Sequence, residues 1–282
     1  MGGILVHFFY LKFNFIFIFS ENYHQNYHQN YHQNYHQNVI IPYHNKMSTK
    51  KNIVLDIDAT LVHTHGEIDD FSMLNIYSDS EKLEYRRKLY TMTLFDSSPD
   101  TPPGTGSSLR LSGIYRPYLK EFLDFCSEYF DNVVIWSAGQ KKYVEKMAEI
   151  MYPFREYQPL VIYNWDDCVH GEGDYLKKPL AKLFKDKRVK GKMNEKNTFV
   201  LDDRDDTFSF NPKNGIQIPE FESDMSIDDI VDHPDDSFIK LMAWLSLKEV
   251  KECKDIRKLN KRNIFKRGIE DYNKQLKAEK KD

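Results

Sequence analysis

Three short runs of apolar, largely β-branched residues punctuate the chain, and each ends on polar chemistry. Asn52-Ile-Val-Leu-Asp56, Asn132-Val-Val-Ile-Trp136 and Thr198-Phe-Val-Leu-Asp202 show none of the alternation of a half-solvated strand. Continuous apolar runs of this length predict strands buried on both faces, as in a parallel sheet. Between them, Tyr118 to Phe130 carries Leu119, Phe122, Leu123, Phe125, Cys126 and Phe130 near helical spacing, and Lys141 to Met151 predicts a second helix. Strands that alternate with helices imply an α/β fold whose ligand site lies at the carboxyl edge of the sheet. Leu89-Tyr-Thr-Met-Thr-Leu-Phe95 alternates instead, and predicts a strand within an insert between His63 and Ser112. The Pro-, Gly- and Ser-rich stretch Asp96 to Ser108 predicts a loop.

Carboxylates gather where the buried runs end. Asp56 and Asp58 stand two residues apart just past the first run, and Asp202 and Asp203 close the third. Two acids so near each other can divide the labour of phosphoryl transfer. One attacks phosphorus and becomes an acyl phosphate, while the other protonates the leaving group and later deprotonates water. Their mutual repulsion calls for a divalent cation, and Mg2+ suits an all-oxygen set. After the second run, Ser137-Ala-Gly139 offers a hydroxyl and free amides at a helix start, which suits a phosphate. Lys178, ahead of a helical stretch, suits a phosphoryl oxygen.

The ordered set Asp56-Ile-Asp-Ala-Thr60-Leu-Val-His63, Arg116-Pro117, Trp136-Ser-Ala138, Lys178-Pro-Leu and Val200-Leu-Asp-Asp203 resembles the carboxy-terminal-domain (CTD) phosphatases of RNA polymerase II. That family belongs to the haloacid dehalogenase superfamily, and the resemblance runs from about Lys51 to Leu245. It implies a Rossmann-like parallel sheet flanked by helices, with a small β insert after the first strand. It further implies Asp56 as nucleophile and metal ligand, and Asp58 as general acid/base with its backbone carbonyl on the metal. Ser137 and Lys178 would bind phosphate, with Thr60 supporting the loop and grouped with them. Asp203 would be a metal ligand, with Asp202 beside it orienting the metal shell or Lys178. Two positions depart from the family pattern. Ala59 stands where Glu is usual, and Ser137-Ala-Gly139 replaces Thr-Ala-Ser. The organisation is expected to match the small members, without a further C-terminal module.

The flanks add little chemistry. Residues 1–46 read as a low-complexity extension, in which Asn-Tyr-His-Gln repeats from Asn22 to Asn38 and spaces His24, His28, His32 and His36 four apart. A helical imidazole face could hold a metal, but so polar a tandem has too little apolar surface to offset its ordering entropy. Ile4 to Phe19 is interrupted by His7, Lys12 and Asn14 and falls short of the roughly 20 apolar residues of a membrane span. Basic n-region, cleavage pattern and myristoylation motif are all lacking, and Met47 is a plausible alternative start. Residues 47–247 then form the expected phosphatase domain, and 248–282 a basic helical tail. In that tail Ile256, Leu259 and Ile264 provide a packing stripe, with a nuclear address or nucleic-acid contact as the other reading of its paired Lys and Arg.

Whole-chain charge is only −3 over 282 residues, so no global field draws the protein to nucleic acid or an anionic membrane. The three cysteines are unpaired in spacing, which fits a reducing, intracellular compartment, cytoplasmic or nuclear, rather than secretion. The expected function is Mg2+-dependent hydrolysis of phosphoserine or phosphothreonine on a protein, with no stable nucleic-acid complex and no membrane span. Two other readings remain. A mitochondrial import receptor uses the same domain as a presequence-binding surface, although the complete set of carboxylates here favours catalysis. A phosphatase for nucleic-acid 3′ ends shares the loop logic, but no basic groove is evident before residue 248.

Overall fold

The computed structural model describes residues 50–66, 83–96, 104–153, 158–171, 176–224, 226, 229–230 and 233–279. The histidine tandem, Met47, most of the loop after Asp96 and the middle of the insert lie outside the described residues.

The three apolar runs are the strands β1 (Asn52–Leu55), β5 (Asn132–Trp136) and β9 (Thr198–Asp202). With β6 (Val161–Tyr163) and β10 (Gly215–Gln217) they form one five-stranded sheet in the order β10-β9-β1-β5-β6. Every pairing is parallel, so the fold is the α/β architecture expected. The unbroken apolar pattern is explained by burial on both faces. From one face Val54, Val134, Trp136, Val161, Tyr163 and Val200 join Leu180, Leu183, Val189, Met193 and Phe208 in a continuous core. From the other, Phe199 meets the rings of Phe130 and Trp244 edge-on.

The insert is a separate three-stranded antiparallel sheet, β2 (Val62–Thr64), β4 (Ser108–Tyr115) and β3 (Leu89–Phe95), in that order, with the one-turn helix α1 (Leu83–Arg86) between β2 and β3 in the chain. After the insert, α2 (Leu119–Tyr129) buries the stripe read from sequence and stacks Phe122 on Phe238 of α5 (Ser237–Leu245), ring centroids 4.3 Å apart. Helix α3 (Lys141–Met151) covers the edge beside β6, and the short hairpin β7 (Val169–His170)–β8 (Leu176–Lys177) leads into α4 (Leu180–Lys185).

Beyond α6 (Lys248–Lys251), the last helix, α7 (Ile264–Glu279), packs on α5. The contact is backbone-close at Gly268, where an added Cβ would lie 2.4 Å from the Lys240 carbonyl oxygen. Ile256 and Ile264 are buried, and Leu259 is half-buried. Among the described residues, no helix is long and apolar enough to cross a membrane.

Candidate active site

The carboxyl ends of β1, β5 and β9 lie side by side because these strands are neighbours in register, and they carry Asp56, Ser137 and Asp202–Asp203 to one edge. After Asp56 the chain turns sharply. The Ile57 carbonyl accepts from the amides of Thr60, Leu61 and Val62, and Ala59 takes the left-handed conformation at φ 55°. A non-glycine residue held there costs roughly 1–2 kcal/mol, so the surrounding contacts must fix the turn. They include the Ala59 carbonyl, which accepts from the Phe221 amide at 2.8 Å.

Lys178 sits at the centre, 2% exposed, and bridges Asp56 Oδ1 at 2.5 Å and Asp202 Oδ2 at 2.7 Å. Burial alone would lower its ammonium, but Asp56 and Asp202 hold it above its ordinary value. Asp56 is pushed up to about 8, first by burial and then by Asp202 and Asp58, against the pull of Lys178. Asp203 is raised by burial and by Asp202. This is an edge with more negative charge than its own cation neutralises.

One carboxylate oxygen from each of Asp56, Asp202 and Asp203 lies within 4.8 Å of the others. An all-oxygen set of that size fits a hard divalent ion such as Mg2+. The members are not equivalent, however. Both Asp202 oxygens have partners, Oδ2 with Lys178 and Oδ1 with the Arg204 amide at 3.0 Å. Lys178 engages Asp56 through Oδ1 and Thr60 engages Asp203 through Oδ1, which leaves one oxygen of each carboxylate outside those bonds. Asp56 and Asp203 could thus each offer a metal an oxygen that these bonds do not use, whereas Asp202 holds Lys178.

Thr60 differs from its expected place among the phosphate-binding groups. Its side chain is fully buried, its hydroxyl donates to Asp203 Oδ1 at 3.1 Å, and it accepts from the Asp203 amide at 3.0 Å. That hydroxyl is engaged with Asp203 and orients its carboxylate. Ser137 is buried at the end of β5, and its hydroxyl oxygen accepts from the Gly139 amide at 3.0 Å.

Asp58 lies in a network that the sequence did not reveal. Its Oδ1 accepts from Thr64 at 3.0 Å and from the Tyr143 hydroxyl. Thr64 Oγ1 also lies 2.7 Å from the Tyr90 hydroxyl and 2.6 Å from that of Tyr143. The insert, through Thr64 and Tyr90, and α3, through Tyr143, thus jointly hold the second carboxylate. Burial raises the Asp58 carboxyl, and the Tyr143 and Thr64 bonds oppose the rise. Tyr143 also accounts for a departure noted above, because a Cβ on Gly139 would come 2.7 Å from Tyr143 Cδ1. The larger residue usual at that position would displace the ring. His63 is half-buried beside this network and His65 is exposed; His170 stacks edge-on against the exposed Trp165.

The NLI interacting factor-like phosphatase family matches residues 51–257. The chain belongs to this family. Within it, the CTD small phosphatase-like protein 2 of Dictyostelium discoideum is 27% identical over 64% of this chain and 25% of its own length. The mitochondrial import inner membrane translocase subunit TIM50 of Candida glabrata is 24% identical over 55% of this chain and 28% of its own. A solved structure of the fission yeast RNA polymerase II CTD phosphatase Fcp1 is similar with a TM-score of 0.48 and 23% identity, over 63% of this chain and 43% of that one. The chain thus spans between a quarter and under half of these proteins. The match to the family covers the whole parallel sheet, the insert and every site residue above, so the family membership read from the motifs stands.

Proposed function

We propose that the chain is a Mg2+-dependent protein phosphatase that hydrolyses phosphoserine or phosphothreonine through an aspartyl-phosphate at Asp56. The observation that carries this reading is the convergence of Asp56, Asp203, Lys178 and Ser137 on one sheet edge, with Asp58 held apart by its own hydroxyl network.

A Mg2+ ion held by Asp56, Asp203 and the Asp58 carbonyl would supply positive charge against the phosphoryl oxygens. The remaining work belongs to side chains. Lys178 and Ser137 orient the phosphoryl group, and Lys178 offsets the charge that gathers on its oxygens. An Asp56 carboxylate oxygen bonds to phosphorus as the serine oxygen leaves, and Asp58 gives that oxygen its proton. Water then attacks the acyl phosphate, Asp58 takes the water's proton, and inorganic phosphate departs. The buried setting of Asp58 suits the first half, because it raises the proton affinity of the carboxyl that must donate.

The relative named a CTD small phosphatase-like protein makes a phosphoserine peptide the first substrate class to try. The relative named as an import translocase subunit favours a second reading, a peptide-binding module without turnover. The presence of Asp56, Asp58, Lys178, Asp202 and Asp203 together argues for catalysis. A panel of phosphoserine and phosphothreonine peptides and 3′-phosphorylated oligonucleotides, assayed with Mg2+ and with excess chelator, distinguishes the readings. Phosphate release from peptides that stops in chelator is the expected result. Full release in chelator removes the metal, release from oligonucleotides alone reassigns the substrate, and peptide binding without release supports the binding module.

A further inference from the structure

The chemistry above leaves one buried charged pair without a task. Arg116 follows β4, and its side chain is fully withdrawn from solvent. Its Nε and Nη2 donate to the two oxygens of Asp235, at 3.0 and 2.7 Å. Nη1 donates to the Thr60 carbonyl at 2.9 Å, and Nη2 also to the Pro219 carbonyl at 2.7 Å. The guanidinium lies between the rings of Phe221 and Phe238, 5.4 and 5.3 Å from their centroids. Even its backbone amide is committed, donating to the Leu61 carbonyl at 3.1 Å.

Such a pair is poorly explained by stability. Withdrawing two charges from water costs about as much as their attraction returns, and apolar residues of similar volume often serve a core equally well. What the guanidinium does that an apolar group cannot is fix a peptide plane. It holds the Thr60 carbonyl, and the Thr60 hydroxyl holds both the amide and Oδ1 of Asp203. The Pro219 contact extends the same brace, since the neighbouring Ile218 amide donates to the Asp202 carbonyl and the Phe221 amide to the Ala59 carbonyl. One rigid cluster therefore grips the catalytic turn and the Asp202–Asp203 corner together.

We propose that the Arg116–Asp235 pair is a positioning device for the metal-binding carboxylate, acting on Asp203 through Thr60. Neither residue touches substrate or metal. The inference rests on the reading of Asp203 as a Mg2+ ligand. Partners that orient a ligand from outside the coordination sphere typically matter by about 10- to 100-fold in metal affinity. Arg116 acts one bond further out, so the low end, about tenfold, applies.

The test is calorimetric titration of the full chain with Mg2+ alone, without substrate. Asp235→Asn removes the charge that anchors the guanidinium. Arg116→Lys keeps a cation for Asp235, but one ammonium cannot also span to the Thr60 and Pro219 carbonyls. Ile256→Ala opens a cavity beside Lys196, before the start of β9 and so at the opposite end of that strand from the site, and controls for lost stability. Both pair variants are expected to raise the Mg2+ dissociation constant about tenfold, while Ile256→Ala leaves it unchanged and all three unfold cooperatively in chelator. If Asp235→Asn does not fold, Arg116→Lys decides. Pair variants that melt earlier yet bind Mg2+ as the wild type does would overturn the proposal and leave the pair a structural tie. A wild-type chain that binds no Mg2+ would instead overturn the metal reading of Asp203 on which the proposal stands.

Discussion

Tyr143→Phe isolates the part of the site that lies beyond the family's motif residues. The substitution deletes one of two hydroxyls that donate to Asp58 Oδ1 and keeps the ring that packs over Gly139. Burial already pushes the Asp58 carboxyl up, with Tyr143 the first of the two bonds restraining it. A hydrogen bond to a charged group contributes about 1.5–3 kcal/mol. Its loss should therefore raise the Asp58 carboxyl further. Thr64, 2.6 Å from Tyr143 and already bonded to Asp58, remains to compensate, so the low end of that range, about 1.5 kcal/mol, applies.

The sign then differs between the two half-reactions. Phosphoryl transfer to Asp56 uses protonated Asp58 and is spared at neutral pH. Hydrolysis of the phosphoenzyme uses the ionised form, so its rising limb moves to higher pH and the rate on that limb falls about tenfold. Rapid-quench measurement of phosphoenzyme formation and decay across pH separates the steps, and the variant should accumulate phosphoenzyme near neutrality. A rising limb that stays in place, with both steps slowed alike, would refute the assignment of Asp58 as the proton carrier and of Tyr143 as its restraint.

Other outcomes follow from the same geometry. Asp58→Asn should keep phosphate binding and lower turnover of phosphoserine by about 10² to 10⁴, with a smaller first-step loss for para-nitrophenyl phosphate, whose leaving group needs no proton. Equal first-step losses on the two esters would count against a proton-donating Asp58. Asp235 is raised by burial but, on balance, lowered by Arg116 and Ser237. A depressed folded-state carboxyl stabilises above the unfolded value of about 3.9 and ceases to do so as pH falls through the folded one. Melting temperature should therefore fall on acidification below about pH 4, and less steeply in Asp235→Asn; parallel curves would remove that linkage. A chain begun at Met47 should fold and turn over as the full chain does, and a lower melting temperature would show that residues 1–46 contribute structure.

The parallel sheet was legible because burial on both faces favours continuous apolar runs at β1, β5 and β9, and the carboxylates of the candidate site were legible because they follow those strands directly. Edge strands β6 and β10, three residues each, leave too short a trace to be read. The Asp58 network was hidden for a different reason. Tyr143 and Asp58 are 85 positions apart, and a tyrosine within Lys141–Met151 reads as one more helical residue until the insert and α3 meet. Arg116 was visible only as part of a motif, since nothing near it in sequence announces a partner 119 residues away. Thr60 was placed by the resemblance as a support of the loop, grouped with the phosphate-binding residues; that its hydroxyl reaches Asp203, 143 positions away, is a tertiary fact.

The covalent role of Asp56 is the claim on which the rest depends, and acid-quenched single turnover with a phosphoserine peptide and Mg2+ tests it most directly. The expected result is a hydroxylamine-sensitive phosphate mapped by mass spectrometry to Asp56, formed and lost at rates that account for turnover, and absent from Asp56→Asn, which should also release no phosphate. Turnover that persists in Asp56→Asn, or a labelled phosphate found on any other residue, would contradict it.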